Sequence, residues 1–107
     1  MFSLSHYLLS GSTASGIGTV LPCLGMDKFS FGVNATSFGS NVATGTIRIE
    51  ARLDPAQDYI PIYNASFTNN TGFFTSFDGP FESIRAVLNP LTTGTYTAVV
   101  RYSSYKS

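Results

Sequence analysis

The chain reads as all-β: an antiparallel β-sandwich or jelly roll of about seven to eight short strands with an extended N-terminal arm. Three observations predict this. Apolar residues alternate with polar ones at period two. Turn residues interrupt the alternation every 8–12 residues. No window shows the 3.6-residue period of an amphipathic helix.

The clearest strand covers residues 46–53, with Ile47, Ile49, Ala51 and Leu53 on one face and Thr46, Arg48, Glu50 and Arg52 on the other. Residues 28–34 set Phe29, Phe31 and Val33 against Lys28, Ser30 and Gly32. Residues 95–102 set Tyr96, Ala98, Val100 and Tyr102 against Thr95, Thr97, Val99 and Arg101. Shorter strands are expected at 19–24, where Pro22 points to a sheet edge, and at 59–63, 73–77 and 81–88. Phe73 and Phe74 are adjacent, so in a strand they face opposite ways and one of them meets an interface or a second layer.

The breaks between strands carry residues that tolerate positive φ or fix φ. They are Gly39-Ser-Asn41, Asp54-Pro55, Asn69-Asn-Thr-Gly72, Asp78-Gly79-Pro80 and Asn89-Pro90. Asp78-Gly79 between two apolar runs is a hairpin signal, although Pro80 spoils a two-residue turn. There Asp78 is expected to cap the backbone and Gly79 to supply a permissive φ. Asp54 and Asp58 read as turn formers over 54–58 rather than as calcium ligands, which would need about six to eight oxygens.

A chain of 107 residues makes one domain. Nine Phe and six Tyr are efficient fillers for its core. Residues 1–18 differ from the rest. Phe2, Leu4, Tyr7, Leu8 and Leu9 precede a Gly/Ser-rich stretch, so 1–18 is taken as an arm and 19–107 as the sandwich. Two placements of the arm are open: an edge strand of its own sheet, or a contact with a neighbouring subunit.

Charged residues make up only 11% of the chain, against about 25% in typical soluble domains. Six basic and six acidic residues cancel to a net charge of zero, and Ser and Thr supply about a quarter of the chain. A surface with so little charge does not resist association. It suits either coverage by partner subunits or a neutral, hydroxyl-rich module. The four Arg are scattered at 48, 52, 85 and 101, which argues against nucleic acid as a partner. No run approaches the roughly 20 apolar residues of a membrane-spanning helix, so no membrane partner is expected.

No chemistry stands out. His6 and Cys23 are single examples of their types, too few for a zinc site and lacking a third orienting group for nucleophilic catalysis. No catalytic residue, cofactor or metal is expected, and Cys23 reads as a buried small hydrophobe. The sequons at Asn34, Asn64 and Asn69 are a weak excess in a chain this rich in Ser and Thr.

Five stretches taken together resemble a known class. They are Ile47-Arg-Ile-Glu-Ala-Arg-Leu-Asp-Pro55, Tyr59-Ile-Pro-Ile-Tyr63, Phe77-Asp-Gly-Pro-Phe81, Ile84-Arg-Ala-Val-Leu88 and Gly94-Thr-Tyr-Thr-Ala-Val-Val100. The set resembles the small β-sandwich domains of tailed-bacteriophage structural proteins. It departs from them at Tyr59, where such domains often carry Trp. The resemblance implies a virion component: a capsid decoration (cement) protein or a head or tail fibre-type component, folded in the host bacterial cytoplasm. It would act through contacts with itself, as a homo-oligomer such as a trimer, and with the major capsid protein or other virion proteins. The competing expectation is a carbohydrate-binding β-sandwich module that stacks Tyr59 or Tyr63 on a sugar ring.

Overall fold

The computed structural model describes residues 3–23, 26–37, 44–67, 71–90 and 94–103. Among the described residues nine strands form two antiparallel sheets. In chain order they are β1 (Ser3–Ser12), β2 (Gly16–Ile17), β3 (Leu21–Pro22), β4 (Lys28–Ser37), β5 (Gly45–Arg52), β6 (Ile60–Phe67), β7 (Thr71–Asp78), β8 (Ser83–Pro90) and β9 (Gly94–Ser103). One sheet has the order β1-β9-β4-β7 and the other β2-β8-β5-β6, with β3 also on β8.

The two short strands β2 and β3 share one lane. Gly16 and Ile17 pair with Leu88 and Val87, and Leu21 and Pro22 pair with Ile84 and Ser83 farther along the same partner. Counted as one broken strand they leave eight lanes, ordered 1-8-3-6 and 2-7-4-5. Pairing is then nested about a single mid-chain hairpin, first lane with eighth, second with seventh, third with sixth and fourth with fifth. This is the jelly roll with two sheets of four lanes.

That topology explains the Asp78-Gly79-Pro80 break. β7 and β8 lie in different sheets, so the break is a crossover and not a hairpin. The Asp78 carboxylate accepts from Lys28 Nζ at 3.1 Å. Gly79 is required by space, not by φ, since a Cβ there would stand 2.9 Å from Phe29 Cε2 and 3.1 Å from the Phe81 nitrogen. Its N–H donates to the Asp27 carbonyl at 2.7 Å, and the peptide bond to Pro80 is cis.

The segment taken as an arm is, over Ser3–Ser12, an edge strand running along β9. Leu8 and Leu9 are buried in the chain's own core, because a register shift between Tyr7 and Leu9 turns both inward. A second shift follows before Ser12, where Gly11 takes φ +59°, a conformation that a residue with a Cβ rarely adopts. Phe2 and the Leu4 side chain lie outside the described residues.

The core is the alternation read from the sequence, closed face to face. Phe29, Phe31, Val33, Tyr96, Ala98 and Val100 come from one sheet, and Ile47, Ile49, Ala51, Ile84, Ala86 and Leu88 from the other. Leu53 is exposed, because β5 ends at Arg52 and the chain turns away. The turn is built as expected, with Asp54 Oδ1 accepting from the Ala56 nitrogen at 2.8 Å. Cys23 is buried, and desolvation, followed by the negative charge of Glu82, pushes its thiol up to about 12.

Candidate interaction faces

Each sheet turns one face to solvent, and the two faces differ in chemistry. Outside the β8-β5-β6 sheet the polar groups satisfy one another. Glu50 is buried and bridges two arginines, accepting from Arg48 Nε at 2.7 Å and from Arg85 Nε at 2.8 Å. Strand pairing produces this, since Glu50 stands directly opposite Arg85. Farther along, Arg52 Nε donates to Glu82 at 2.7 Å. Ser83 has one proton and gives it to Glu82 at 2.6 Å, so the Tyr59 hydroxyl must donate to Ser83 at 2.7 Å. The guanidinium carbons of Arg85 and Arg52 lie 3.9 and 4.7 Å from the Tyr59 ring centroid.

The Ser83 hydroxyl, and then Arg52, hold the Glu82 carboxyl below its ordinary value. A lowered folded-state pKa stabilises the fold above the unfolded value and is lost as pH falls through the folded one. Acid titration of unfolding should therefore show stability declining below the ordinary carboxylate range, with a shallower decline in Glu82→Gln. Equal slopes for the two proteins would show that Glu82 is not coupled to folding.

The outer face of the β1-β9-β4-β7 sheet is different. Tyr7 stands opposite Val99, Val99 opposite Gly32, and Gly32 opposite Phe74, so an apolar row crosses all four strands. Phe74 is 92% exposed and Tyr7 57% exposed. A Cβ on Gly32 would stand 3.2 Å from Phe74 Cε1 and 3.6 Å from Val99 Cγ1, so one edge of the ring overhangs the glycine while the rest stays open to solvent. Mostly polar residues, four of them with hydroxyls, flank the row. Ser5, Arg101, Ser30 and Ser76 align on one side, with Ser30 and Ser76 hydroxyls 3.2 Å apart, and Thr97, Asn34 and Gly72 align on the other. Phe73 faces the opposite way and packs on Phe67 at 5.5 Å between ring centroids.

The fold has solved counterparts. A prophage-derived protein, YomS of SPBc2, is similar over 95% of this chain and 94% of its own, with a TM-score of 0.67 and 14% identity. The K3 cleaved adhesin domain of Lys-gingipain from Porphyromonas gingivalis matches over 95% of this chain and 74% of its own, at 0.55 and 11%. The Yersinia pseudotuberculosis-derived mitogen matches over 99% of this chain and 86% of its own, at 0.50 and 9%. At these identities the likeness is one of fold. No protein-family model and no curated protein sequence matches the chain.

Of the expected arm contacts, Leu8 and Leu9 are spent inside the core and Tyr7 alone among the described side chains is left on the surface. Tyr59 is engaged by two guanidinium groups and Tyr63 is half-buried with its ring centroid 6.5 Å from that of Phe77, so neither offers a sugar a free ring. His6 Nε2 and Cys23 Sγ have separate partners, Thr19 Oγ1 at 3.2 Å and the Leu21 carbonyl at 3.3 Å. The apolar row joins positions 7, 32, 74 and 99, which no local pattern connects. The adjacency of Phe73 and Phe74 was its one trace in the sequence.

Proposed function

We propose that the chain is a virion structural protein of a tailed phage, a capsid decoration (cement) or head or tail fibre-type component that binds other subunits and catalyses nothing. The observation that carries this reading is the Tyr7–Val99–Gly32–Phe74 row, an apolar stripe lying across a sheet face that is otherwise hydroxyl-rich. An exposed apolar stripe on a domain without net charge is stabilised by being covered. The jelly roll suits the role, since capsid domains are among its common uses. The likeness to a prophage-derived protein over nearly the whole chain supports it further.

A second reading, a carbohydrate-binding module, is favoured by one observation: the exposed Phe74 ring stands over Gly32 on the face that carries Ser30 and Ser76. One pair of measurements separates the two. Mass spectrometry of gradient-purified particles from the host that carries the gene should find the protein at a stoichiometric level. Its absence from particles, together with glycan-array binding lost in Phe74→Ser, would replace the virion reading by the glycan one.

A further inference from the structure

A sandwich has four lanes at its sheet edges, and each leaves unpaired backbone groups that invite another strand. Here three of the four are blunted. The β1 edge carries two register shifts and is stitched to the β2–β3 break. The Thr19 nitrogen donates to the Leu8 carbonyl at 3.0 Å, and Thr19 Oγ1 donates to the Tyr7 carbonyl at 2.7 Å. The β2–β3 lane is broken between Ile17 and Leu21 and ends in Pro22. The β6 edge holds Pro61 and a register shift opposite Ile49 and Glu50. These are the devices by which edges avoid pairing.

The β7 edge has none of them. It runs from Thr71 to Asp78 in unbroken register with β4, from Ala35↔Thr71 to Lys28↔Asp78, and pairs with β4 alone among the described residues. It holds no proline, and its first charge is the terminal Asp78. Aromatic rings bank its flank. Phe73 packs on Phe67, and Phe77 lies 6.5 Å from Tyr63 between ring centroids.

We infer that β7 is the contact edge for a second copy of this chain, pairing antiparallel across a two-fold axis to give one continuous sheet of eight strands. This rests on the reading of the protein as one that works through subunit contacts, and it names the partner and the strand. Cross-strand neighbours must point to the same face. A two-fold at Phe74 meets that condition, setting Phe74 beside the second copy's Phe74, Phe73 opposite Thr75 and Gly72 opposite Ser76. The apolar row of each copy then continues into the other. The net charge of zero puts no long-range repulsion between copies. Because the remaining edges are blunted, the pairing closes as a dimer instead of propagating as a fibre.

The test is solution mass by light scattering, combined with cysteine cross-linking. The wild-type protein should be a dimer. Phe74→Lys and Phe74→Glu should each be monomeric with unchanged circular dichroism, and mixing them should restore a dimer. Phe74→Cys should form an intermolecular disulfide under mild oxidation, since directly opposed Cβ atoms lie about 4.5–5.5 Å apart. Val99→Cys, two strands in from the edge on the same face, should not. A wild-type monomer at the highest soluble concentration would overturn the inference, as would a trimer. Cross-linking at position 99 without cross-linking at 74 would replace edge pairing by face-to-face packing. A monomer that is nevertheless found in purified particles defeats the β7 contact and leaves the virion reading standing. A β7 dimer absent from particles does the reverse.

Discussion

Phe31→Ala is expected to lower the free energy of unfolding by about 3–5 kcal/mol. Phe31 is 1% exposed. It lies on the inner face of β4, a strand paired on both sides, with Val100 opposite on β9 and Thr75 opposite on β7. Its ring meets Phe77 edge-on at 5.9 Å between centroids. Removing the ring loses its transfer free energy and opens a cavity between two sheets whose hydrogen-bonded ladders cannot collapse inward. For a domain with a total stability of about 5–15 kcal/mol, that is a fifth of the total or more. Urea denaturation should show a lower midpoint with an unchanged slope. A loss of under about 1 kcal/mol would mean that the inter-sheet packing at this position is loose.

Gly18→Ala is expected to cost about 3 kcal/mol, the upper end for overpacking. A Cβ on Gly18 would run directly into the Leu8 carbonyl oxygen and would stand 2.8 Å from Leu9 Cδ2. The obstruction is backbone, and it is pinned, because Leu8 O already accepts from the Thr19 nitrogen while the Gly18 nitrogen donates to the Ala86 carbonyl at 2.9 Å. The added methyl group therefore has to part β1 from the β2–β3 lane. The loss should appear as a lowered melting temperature and as earlier amide exchange in β1 than in β5. A variant as stable as the wild type would mean that β1 shifts along β9 without penalty. Gly11→Ala makes a useful contrast, since a Cβ there meets nothing within 4 Å and the strain comes from φ alone.

These two positions differ in how readable they were. Phe31 lies in a period-two run, and its burial follows from the alternation of Phe29, Phe31 and Val33. Gly18 reads as part of a flexible Gly/Ser stretch, yet it is a point of closest approach between two lanes. The same contrast holds for charge. No local pattern tells Arg85 which acid it meets; the pairing of β5 with β8 sets it against Glu50 and leaves Glu82 to Arg52.

By itself, then, the sequence determined the fold class, the inward faces of β4, β5 and β9, the turn at Asp54 and the poverty of charge. All of these are local properties, set by period-two alternation, by turn residues that bond their own backbone, and by composition. The tertiary structure alone decided that Ser3–Ser12 is an edge strand, that Asp78-Gly79-Pro80 is a crossover, and that Tyr7, Val99, Gly32 and Phe74 form one row. The physical reason is the nested pairing of the jelly roll, which sets Ser3 against Ser103 and Lys28 against Asp78. Register between strands so far apart in the chain is chosen by burial of whole faces at once, and no short window of residues contains it.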